Sequence, residues 1–356
     1  MTAPFSAQRY RVAVLGATGA VGREMLAVLD AMRFPAEDVV ALASTRSVGE
    51  EVEFGNRTLT VRAAEPSAFE GIDIVLASAG SAVSKLLLPE AARRGCFCID
   101  NSSAFRMDPA VPLIVPEVNP AALANHNGIV ANPNCSTIQM VVAIKPLHDA
   151  ARIRRIVVST YQAVSGAGKK GMDELSNQSI ALFNQTPFDV AVHHARIAFN
   201  VIPHIGAFDA DGYTEEETKL IHETRKIMGD SQIQVCPTAV RVPVFSGHSE
   251  SIVLEFERDL SPEAAREILE MSPGVVVVDD PKAKKYPMPM DVAERDEVFV
   301  GRIRRDSSVA HGLAMWVVAD NLRKGAATNA VQIALLAVKN GWVHGADGRA
   351  RAQAQA

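Results

Sequence analysis

The chain has few of the residues that point to a secreted, membrane-bound or metal-stabilised protein. Four cysteines among 356 residues fit neither a disulfide framework nor a zinc motif by their spacing. No stretch approaches the roughly 20 apolar residues of a membrane span, and residues 1–10 lack the apolar core of a signal peptide. We therefore expect reduced thiols, no membrane partner and a cytoplasmic location.

The chain also lacks an excess of charge of one sign. Its 36 basic and 41 acidic residues give a net charge of −5, and no stretch is strongly basic. The sequence therefore does not predict binding of nucleic acid, and any anionic ligand must be bound by Lys or Arg side chains close to its site. A hydrophobic content of 48% in a chain of this length is enough for two cores.

A glycine-spaced turn follows the first apolar run, Val12–Leu15. Gly16 permits a tight turn, Gly19 lets backbone approach a pyrophosphate, and Gly22 lets the following helix pack on the strand. The glycine spacing is G-x-x-G-x-x-G rather than G-x-G-x-x-G, so an ordinary strand–helix turn remains the alternative. The pattern favours a dinucleotide site.

Two later loops at strand ends indicate which dinucleotide would bind. Arg46 and Ser47 follow the second predicted strand, where an NAD site usually carries an acid, and an Arg with hydroxyls suits a 2′-phosphate. A strand over residues 72–77 runs into Ser78 and Gly80, which are small enough for a cofactor to pass closely. These loops favour NADP, and a solvated surface loop at Arg46 is the alternative.

The order of predicted elements indicates an α/β fold with two domains. Strand–helix alternation predicts a Rossmann-type, doubly wound parallel sheet over residues 1–134, completed by a helix over 320–340. Alternating strands in residues 135–319, among them one over residues 234–244, predict a second, α+β domain with a mixed sheet. The Ala/Gln/Arg/Gly-rich tail at 344–356 is expected to be frayed.

A cysteine at the start of a predicted helix is the candidate nucleophile. Cys135 stands where a loop becomes a buried helix, so the N–H groups around Ser136 and Thr137 are expected to point at its sulfur and favour thiolate. Asn134 is a candidate side-chain donor to an oxyanion. A small apolar Cys filling a helix–strand junction is the alternative.

Two further polar features are ambiguous on their own. Arg106 lies in a polar loop after a predicted strand, where ligands bind in such sheets, and it can grip an oxyanion or be a solvated charge. The pair His193-His194 has no further ligand at metal spacing, so no metal site is predicted.

Taken in order, these segments resemble the aspartate-semialdehyde dehydrogenases, from about residue 10 to residue 343. The resemblance implies NADPH-dependent reduction of 4-aspartyl phosphate to aspartate 4-semialdehyde, with release of phosphate, on the route to lysine, threonine, methionine and diaminopimelate. It also implies that the second domain is catalytic and forms a homodimer, or a tetramer of dimers. The matching segments are residues 16–22, 132–137, 161–168, 223–227, 241–244 with 247–250, and 321–327.

The resemblance further implies a role for each candidate residue. Cys135 would attack, His248 would act as acid and base, and Gln162 would contact the acyl group. The expected substrate ligands are Arg106 and Lys219 for phosphate, Arg241 for the carboxylate and Glu216 for the ammonium. The expected cofactor contacts are Gly16, Thr18, Gly19, Ala20, Val21, Arg46, Ser47, Ser78, Gly80, Ser165, Gly166 and Asn321.

Three rival functions remain open. N-acetylglutamyl-phosphate reductase uses a similar cysteine and glycine loop, but its blocked amine would leave a Glu216 and Arg241 clamp misplaced. A phosphorylating aldehyde dehydrogenase of the glyceraldehyde-phosphate type differs around the nucleophile. A third alternative is a catalytically silent NADP-binding sensor, against which the joint presence of Cys135, Gln162, Arg241 and His248 argues.

Overall fold

Strands and helices alternate through a chain whose structure, a computed structural model, describes residues 8–343. The strands are β1 Tyr10–Leu15, β2 Ala36–Ala43, β3 Glu51–Phe54, β4 Arg57–Thr60, β5 Arg62–Ala63, β6 Ile74–Ala77, β7 Phe97–Asp100, β8 Ile129–Ala131, β9 Ile153–Gln162, β10 Gln234–Arg241, β11 His248–Phe256, β12 Val275–Val277, β13 Val298–Asp306 and β14 Gly312–Ala319. The α-helices are α1 Ala20–Ala31, α2 Ser81–Arg93, α3 Cys135–Ala151, α4 Lys169–Phe183, α5 Glu215–Met228, α6 Pro262–Glu270, α7 Pro289–Val292 and α8 Thr328–Lys339.

The chain divides into two compact units. The first comprises residues up to Pro133 and from Ala326 onward, and the second spans Asn134–Gly325. The tail predicted over 344–356 lies outside the described residues. None of the helices in residues 8–343 has both the length and the apolar composition needed to cross a membrane.

The first unit is built on a six-stranded parallel sheet with the order β5-β2-β1-β6-β7-β8. Alternate residues of β1 enter different cores, which is why its last four residues, Val12–Leu15, are all apolar. Val12 and Val14 join a core that contains residues of α1 and α8, whereas Ala13 and Leu15 join one that contains residues of α2. Helices therefore cover both faces, and the predicted Rossmann-type, doubly wound sheet is confirmed.

The second unit holds a six-stranded mixed sheet with the order β10-β9-β11-β14-β13-β12. β9 pairs with β10 in parallel, and β11 lies antiparallel to both β9 and β14. In β11 the residues on one face, from His248 to Phe256, are buried, and α3 packs against this strand. The predicted α+β unit with a mixed sheet is confirmed.

Two predicted elements have different bounds in the structure. The helix predicted over 320–340 is an α-helix only from Thr328, because a π-helical turn, Arg323–Ala327, precedes it. There the N–H of Gly325 donates to the carbonyl of Asp320, the five-residue spacing of a π-turn. The strand predicted over 234–244 ends at Arg241, just before Pro243, which has no N–H to donate to a sheet.

Candidate functional site

Cys135 is the first residue of α3, and Asn134 is its N-cap. The Asn134 Oδ1 accepts the N–H groups of Ser136 at 3.1 Å and Thr137 at 3.2 Å. Asn is among the best N-caps, so the sequence itself dictates that the helix begins here. The expectation that these N–H groups point at the sulfur is wrong, because the cap side chain already satisfies them. The helix dipole still acts at Cys135.

Asn134 is held at both ends by buried carboxylates of α5. Its backbone N–H donates to Glu223 Oε2 at 2.6 Å, and its Nδ2 donates to Glu216 Oε1 at 2.8 Å. The side chain is therefore engaged in positioning the start of α3. One N–H of its amide is given to Glu216, and the expectation that the amide donates to an oxyanion through its second N–H stays a prediction.

Glu216 is the centre of a buried hydrogen-bond cluster. Its Oε1 also accepts from Gln162 Nε2 at 3.1 Å, and its Oε2 accepts from Lys219 Nζ at 3.2 Å. Gln162 donates as well to the hydroxyl of Ser136 at 2.8 Å. Burial by itself raises the pKa of Glu216, but the charge of Lys219 and the amide donors outweigh it and lower the pKa. The cluster thus contains a stable anion.

Arg241 brings a buried cation to the end of β10. Its Nη1 donates to the carbonyl of Ala163 at 2.7 Å. Burial lowers the pKa of Arg241, while Glu216 and Cys135 oppose that shift. This coupling places Arg241 near both the anion and the nucleophile, and a guanidinium stays charged despite such burial. A cation and an anion therefore face one small site.

His248 begins β11 and is fully buried. Its Nδ1 accepts the N–H of Ala163 at 3.1 Å, so the neutral ring carries its proton on Nε2. Among the described residues, Nε2 has no hydrogen-bond partner. Burial, assisted by Arg241, lowers the pKa of His248 to about 3. The ring therefore presents a neutral N–H donor.

The turn after β9 makes room for these side chains. A Cβ on Gly166 would lie 2.8 Å from Arg241 Nη1 and 3.4 Å from His248 Nε2. Ser165 donates its hydroxyl to Asn321 Oδ1 at 3.0 Å, and Gly247 donates its N–H to the same oxygen at 3.1 Å. Asn321 therefore ties this turn to the turn that leads into His248.

Sequence reasoning missed two residues that shape the nucleophile. A Cβ on Gly325 would lie 2.8 Å from the Cβ of Cys135, so any side chain there would crowd the cysteine. Glu223, which holds Asn134, is 1% exposed on the buried face of α5 beside Leu220 and Ile227. The sequence offered one signal for Glu223: an acid spaced three and four residues from the apolar Leu220 and Ile227 lies on the buried face of the helix. A buried acid needs a hydrogen-bond partner.

The glycine loop of the first unit lies where β1 and β6 run side by side. Gly16 has φ +89°, and a Cβ there would lie 2.4 Å from the carbonyl oxygen of Ser78. A Cβ on Gly22 would lie 2.1 Å from the carbonyl oxygen of Gly16. Gly19 caps α1 without a side-chain hydrogen bond. These features fit a loop that receives a pyrophosphate at a helix N-terminus.

The other cofactor candidates of the first unit lie in that loop, in the first turn of α1 and after the strands β2 and β6. The N–H groups of Gly16 and Ala17 donate to the carbonyl of Leu42 at 2.8 and 3.1 Å, which joins the loop to the end of β2. Arg46 is exposed in the 3₁₀ turn after β2. The other candidates are Thr18 in the loop, Ala20 and Val21 in the first turn of α1, Ser47 beside Arg46, Ser78 after β6 and Gly80 at the N-cap of α2.

Arg106 also belongs to the first unit, in the loop after β7. It is buried, and its Nη2 donates to the carbonyl of Asn101 at 2.9 Å. The structure therefore holds this guanidinium in place rather than leaving it in solvent. The other predicted phosphate ligand, Lys219, lies in the second unit.

Both units match domains of one enzyme family. Residues 11–126 match the semialdehyde dehydrogenase NAD-binding domain, and residues 144–324 match the semialdehyde dehydrogenase dimerisation domain. The chain is 56% identical, over 339 residues, to an aspartate-semialdehyde dehydrogenase of Aquifex aeolicus, which covers 94% of this chain and 99% of that protein. The chain belongs to the aspartate-semialdehyde dehydrogenase family. It is an oxidoreductase of amino-acid biosynthesis that uses a nicotinamide cofactor.

Solved structures agree with this family. The chain is similar to the Vibrio cholerae aspartate semialdehyde dehydrogenase II complexed with ASA, with a TM-score of 0.91, 47% identity and coverage of 93% of this chain and 99% of that one. It is also similar to the Candida albicans enzyme with NADP, with a TM-score of 0.72, 26% identity and coverage of 93% and 98%. The family's fold thus extends over nearly the whole chain.

Proposed function

We propose that the chain reduces 4-aspartyl phosphate to aspartate 4-semialdehyde and phosphate, with NADPH as reductant and a thioester on Cys135 as intermediate. The observation that carries the proposal is the grouping of Cys135 with a buried anion, Glu216, and a buried cation, Arg241. An aspartyl group is a zwitterion, so its recognition needs both charges. The product would supply lysine, threonine, methionine and diaminopimelate synthesis.

The charged groups suit the two ends of the substrate. Arg241 would bind the α-carboxylate with two N–H groups, and Glu216 would accept the ammonium. Lys219 is about one-third exposed, at 31% of its side chain, and is bound by Glu216, so it can turn to an incoming phosphate at small cost. Arg106 would supply the second cation for that phosphate.

The chemistry proceeds through a covalent acyl group. The thiolate of Cys135 attacks the acyl carbon, a C–S bond forms, and the C–O bond to phosphate breaks. Phosphate is a stronger base than the acyl phosphate, so the forward reaction takes up one proton. Because His248 carries its proton on Nε2, it can give a hydrogen bond or that proton to an oxygen that gains negative charge.

The nicotinamide cofactor, when bound, supplies the hydride that reduces the thioester. The first unit fits such a group, because Gly16 and Gly22 leave no space for a side chain between the loop and the helix that would face a pyrophosphate. Arg46 with Ser47 supports NADP over NAD. Ser165, Gly166 and Asn321 would border the nicotinamide. Opening of the hemithioacetal then returns Cys135 to thiolate and releases the aldehyde.

The assembly is proposed to be a homodimer or a tetramer of dimers. The match of residues 144–324 to a dimerisation domain supports this. Light scattering of the purified protein would test it, and a monomer at working concentration would contradict it.

The direct assay runs the reaction in reverse, with aspartate semialdehyde, phosphate and either NADP or NAD. We expect reduction of NADP that depends on phosphate, and almost no turnover in the folded variant Cys135→Ser, because a hydroxyl is far less ionised than a thiol. Cys236→Ser is the matched control, since Cys236 is exposed on β10. Wild-type-like activity in Cys135→Ser, or activity on N-acetylglutamyl phosphate instead, would overturn the proposal.

A further inference from the structure

A second acidic side chain lies on the same face of β11 as His248. Glu250 is two residues further along the strand, so its side chain points to the same side of the sheet. It is 0% exposed, and neither of its carboxyl oxygens has a hydrogen-bond partner within residues 8–343. A buried carboxylate without a partner is costly, so this residue calls for a physical explanation.

Within residues 8–343, no charged side chain acts on the carboxyl group of Glu250. Thr160 lies opposite it on β9, Val317 lies opposite it on β14, and Gln139 approaches from α3. The nearest charged side chains of α3 are Lys145 and Asp149, at its carboxyl end, and they pair with each other. Burial raises the pKa of Glu250 well above its ordinary value, and the nearby amide of Gln139 offsets this only in part.

Gln139 connects this carboxyl group to His248. Its Nε2 donates to the backbone carbonyl of His248 at 3.3 Å. Its Oε1 is buried and receives no hydrogen bond from any residue in the described part of the chain. An amide oxygen needs a donor, and a protonated carboxyl group has an O–H to donate. A protonated Glu250 thus has the donor that Oε1 of Gln139 needs, and this oxygen is the acceptor that the O–H of Glu250 needs.

We propose that Glu250 is a positioning residue that stays protonated and donates its O–H to Oε1 of Gln139. The bond fixes the Gln139 amide, whose N–H groups hold the carbonyl of His248. His248 is then secured at two points, at its carbonyl by Gln139 and at Nδ1 by the N–H of Ala163. The inference rests on the proposed function in taking His248 as the proton-bearing residue of the reaction.

Two substitutions of similar size separate the O–H from the carboxylate charge. Glu250→Gln keeps a donor and an acceptor, so it should retain most of the turnover and the wild-type pH profile. Glu250→Met fills the same space without a donor, so kcat should fall about five- to tenfold, the factor that one buried hydrogen bond is worth, and the pH profile should shift. The KM values for semialdehyde and phosphate should change little, because Arg241 and Lys219 are untouched.

A matched control addresses general damage to the core. Ile252→Met alters the same buried face of β11 one alternation further from His248, and it should leave the pH profile unchanged. Infrared spectra at neutral pH provide a readout that needs no turnover. The wild type should show the carbonyl stretch of a protonated carboxyl group, and Glu250→Gln should lack it.

The outcomes are distinct. Equal losses of kcat in Glu250→Gln and Glu250→Met, or no protonated-carboxyl band, would overturn the inference, as would two variants that both behave like the wild type. An inactive wild-type protein would instead overturn the proposed function, and the infrared difference between wild type and Glu250→Gln would still report whether the proton is there.

Discussion

The glycine loop of the first unit and the polar cluster of the second are built by different means. The loop, residues 16–22, is specified by backbone: Gly16 has φ +89°, and a single added carbon there would lie 2.4 Å from a carbonyl oxygen. The cluster is specified by side chains from five separate segments, among them Asn134, Gln162, Glu216 and His248. The loop is intolerant of added atoms, and the cluster is intolerant of lost donors and charges.

This difference predicts opposite kinds of sensitivity. In the loop, even the smallest added side chain, the methyl group of alanine, should weaken cofactor binding strongly. In the cluster, a substitution that preserves hydrogen bonding should be tolerated far better than one that only preserves volume.

Gly16→Ala should weaken NADP binding by about a hundredfold, because a strained φ costs ~1–3 kcal/mol by itself and the backbone overlap adds to that cost. Gly212→Ala is the matched control, because Gly212 has φ +84°, a Cβ there would meet nothing within 4 Å, and it is not a cofactor candidate. It should cost stability through conformational strain, ~1–3 kcal/mol, and leave NADP binding unchanged. Cofactor titrations measure both variants, and equal losses of NADP affinity would show that the overlap at Ser78 has no role.

Arg46→Ala should weaken NADP about tenfold and leave NAD nearly unchanged, because an exposed charge-assisted contact acts only on the 2′-phosphate. The comparison is between dissociation constants for the two cofactors in one variant. Should both weaken alike, Arg46 would be assigned to the fold of the loop and not to the phosphate.

The loop is the part of the molecule that sequence reasoning describes well. Gly16, Gly19 and Gly22 lie within seven residues, and their conformational roles follow from local rules. The parallel sheet also follows from strand–helix alternation, and it is confirmed. The start of the last helix was misplaced, because a π-turn at Arg323–Ala327 depends on packing around Gly325 that periodicity does not show.

Within the cluster, substitutions of Arg241 and of Lys219 should affect the binding of different anions. In the reverse reaction Arg241→Ala should raise the KM for semialdehyde more than that for phosphate, and Lys219→Ala should do the opposite, each with a bias of about tenfold. Arg241→Lys should recover only part of the loss, because an ammonium cannot reproduce the paired N–H groups of a guanidinium. Identical fold changes for both ligands in each variant would refute the assignment of the two sites.

Sequence reasoning found most residues of the cluster but not the hydrogen bonds that connect them. Cys135 at a helix start follows from local signals, whereas the roles of Asn134 as cap and anchor depend on Glu216 and Glu223, more than 80 residues away. The same applies to Glu250, whose neighbours on β9, β14 and α3 come together only through the sheet order. Long-range strand pairing is not encoded in spacing along one segment.

The buried neutral His248 should make the fold sensitive to acid. In the unfolded chain a histidine takes up a proton below its ordinary pKa of 6.5, whereas folded His248 stays neutral down to about 3. The free energy of unfolding should therefore fall as the pH drops through that window, by at most ~1.4 kcal/mol per pH unit. His248→Asn removes this titration.

Urea unfolding of both proteins at neutral pH and at about pH 5 measures the difference, which should amount to ~1–2 kcal/mol more loss in the wild type. Parallel losses in the two proteins would mean that His248 is protonated in the folded state as readily as in the unfolded chain.

The acyl group on Cys135 is the central claim, and mass spectrometry tests it most directly. Enzyme mixed with 4-aspartyl phosphate in the absence of NADPH, then quenched in acid and digested, should carry an added aspartyl group on the peptide that contains Cys135. The adduct should be absent from Cys135→Ser, present in Cys236→Ser, and released by hydroxylamine. An active enzyme that shows no such adduct, or that carries it on another residue, would contradict the account.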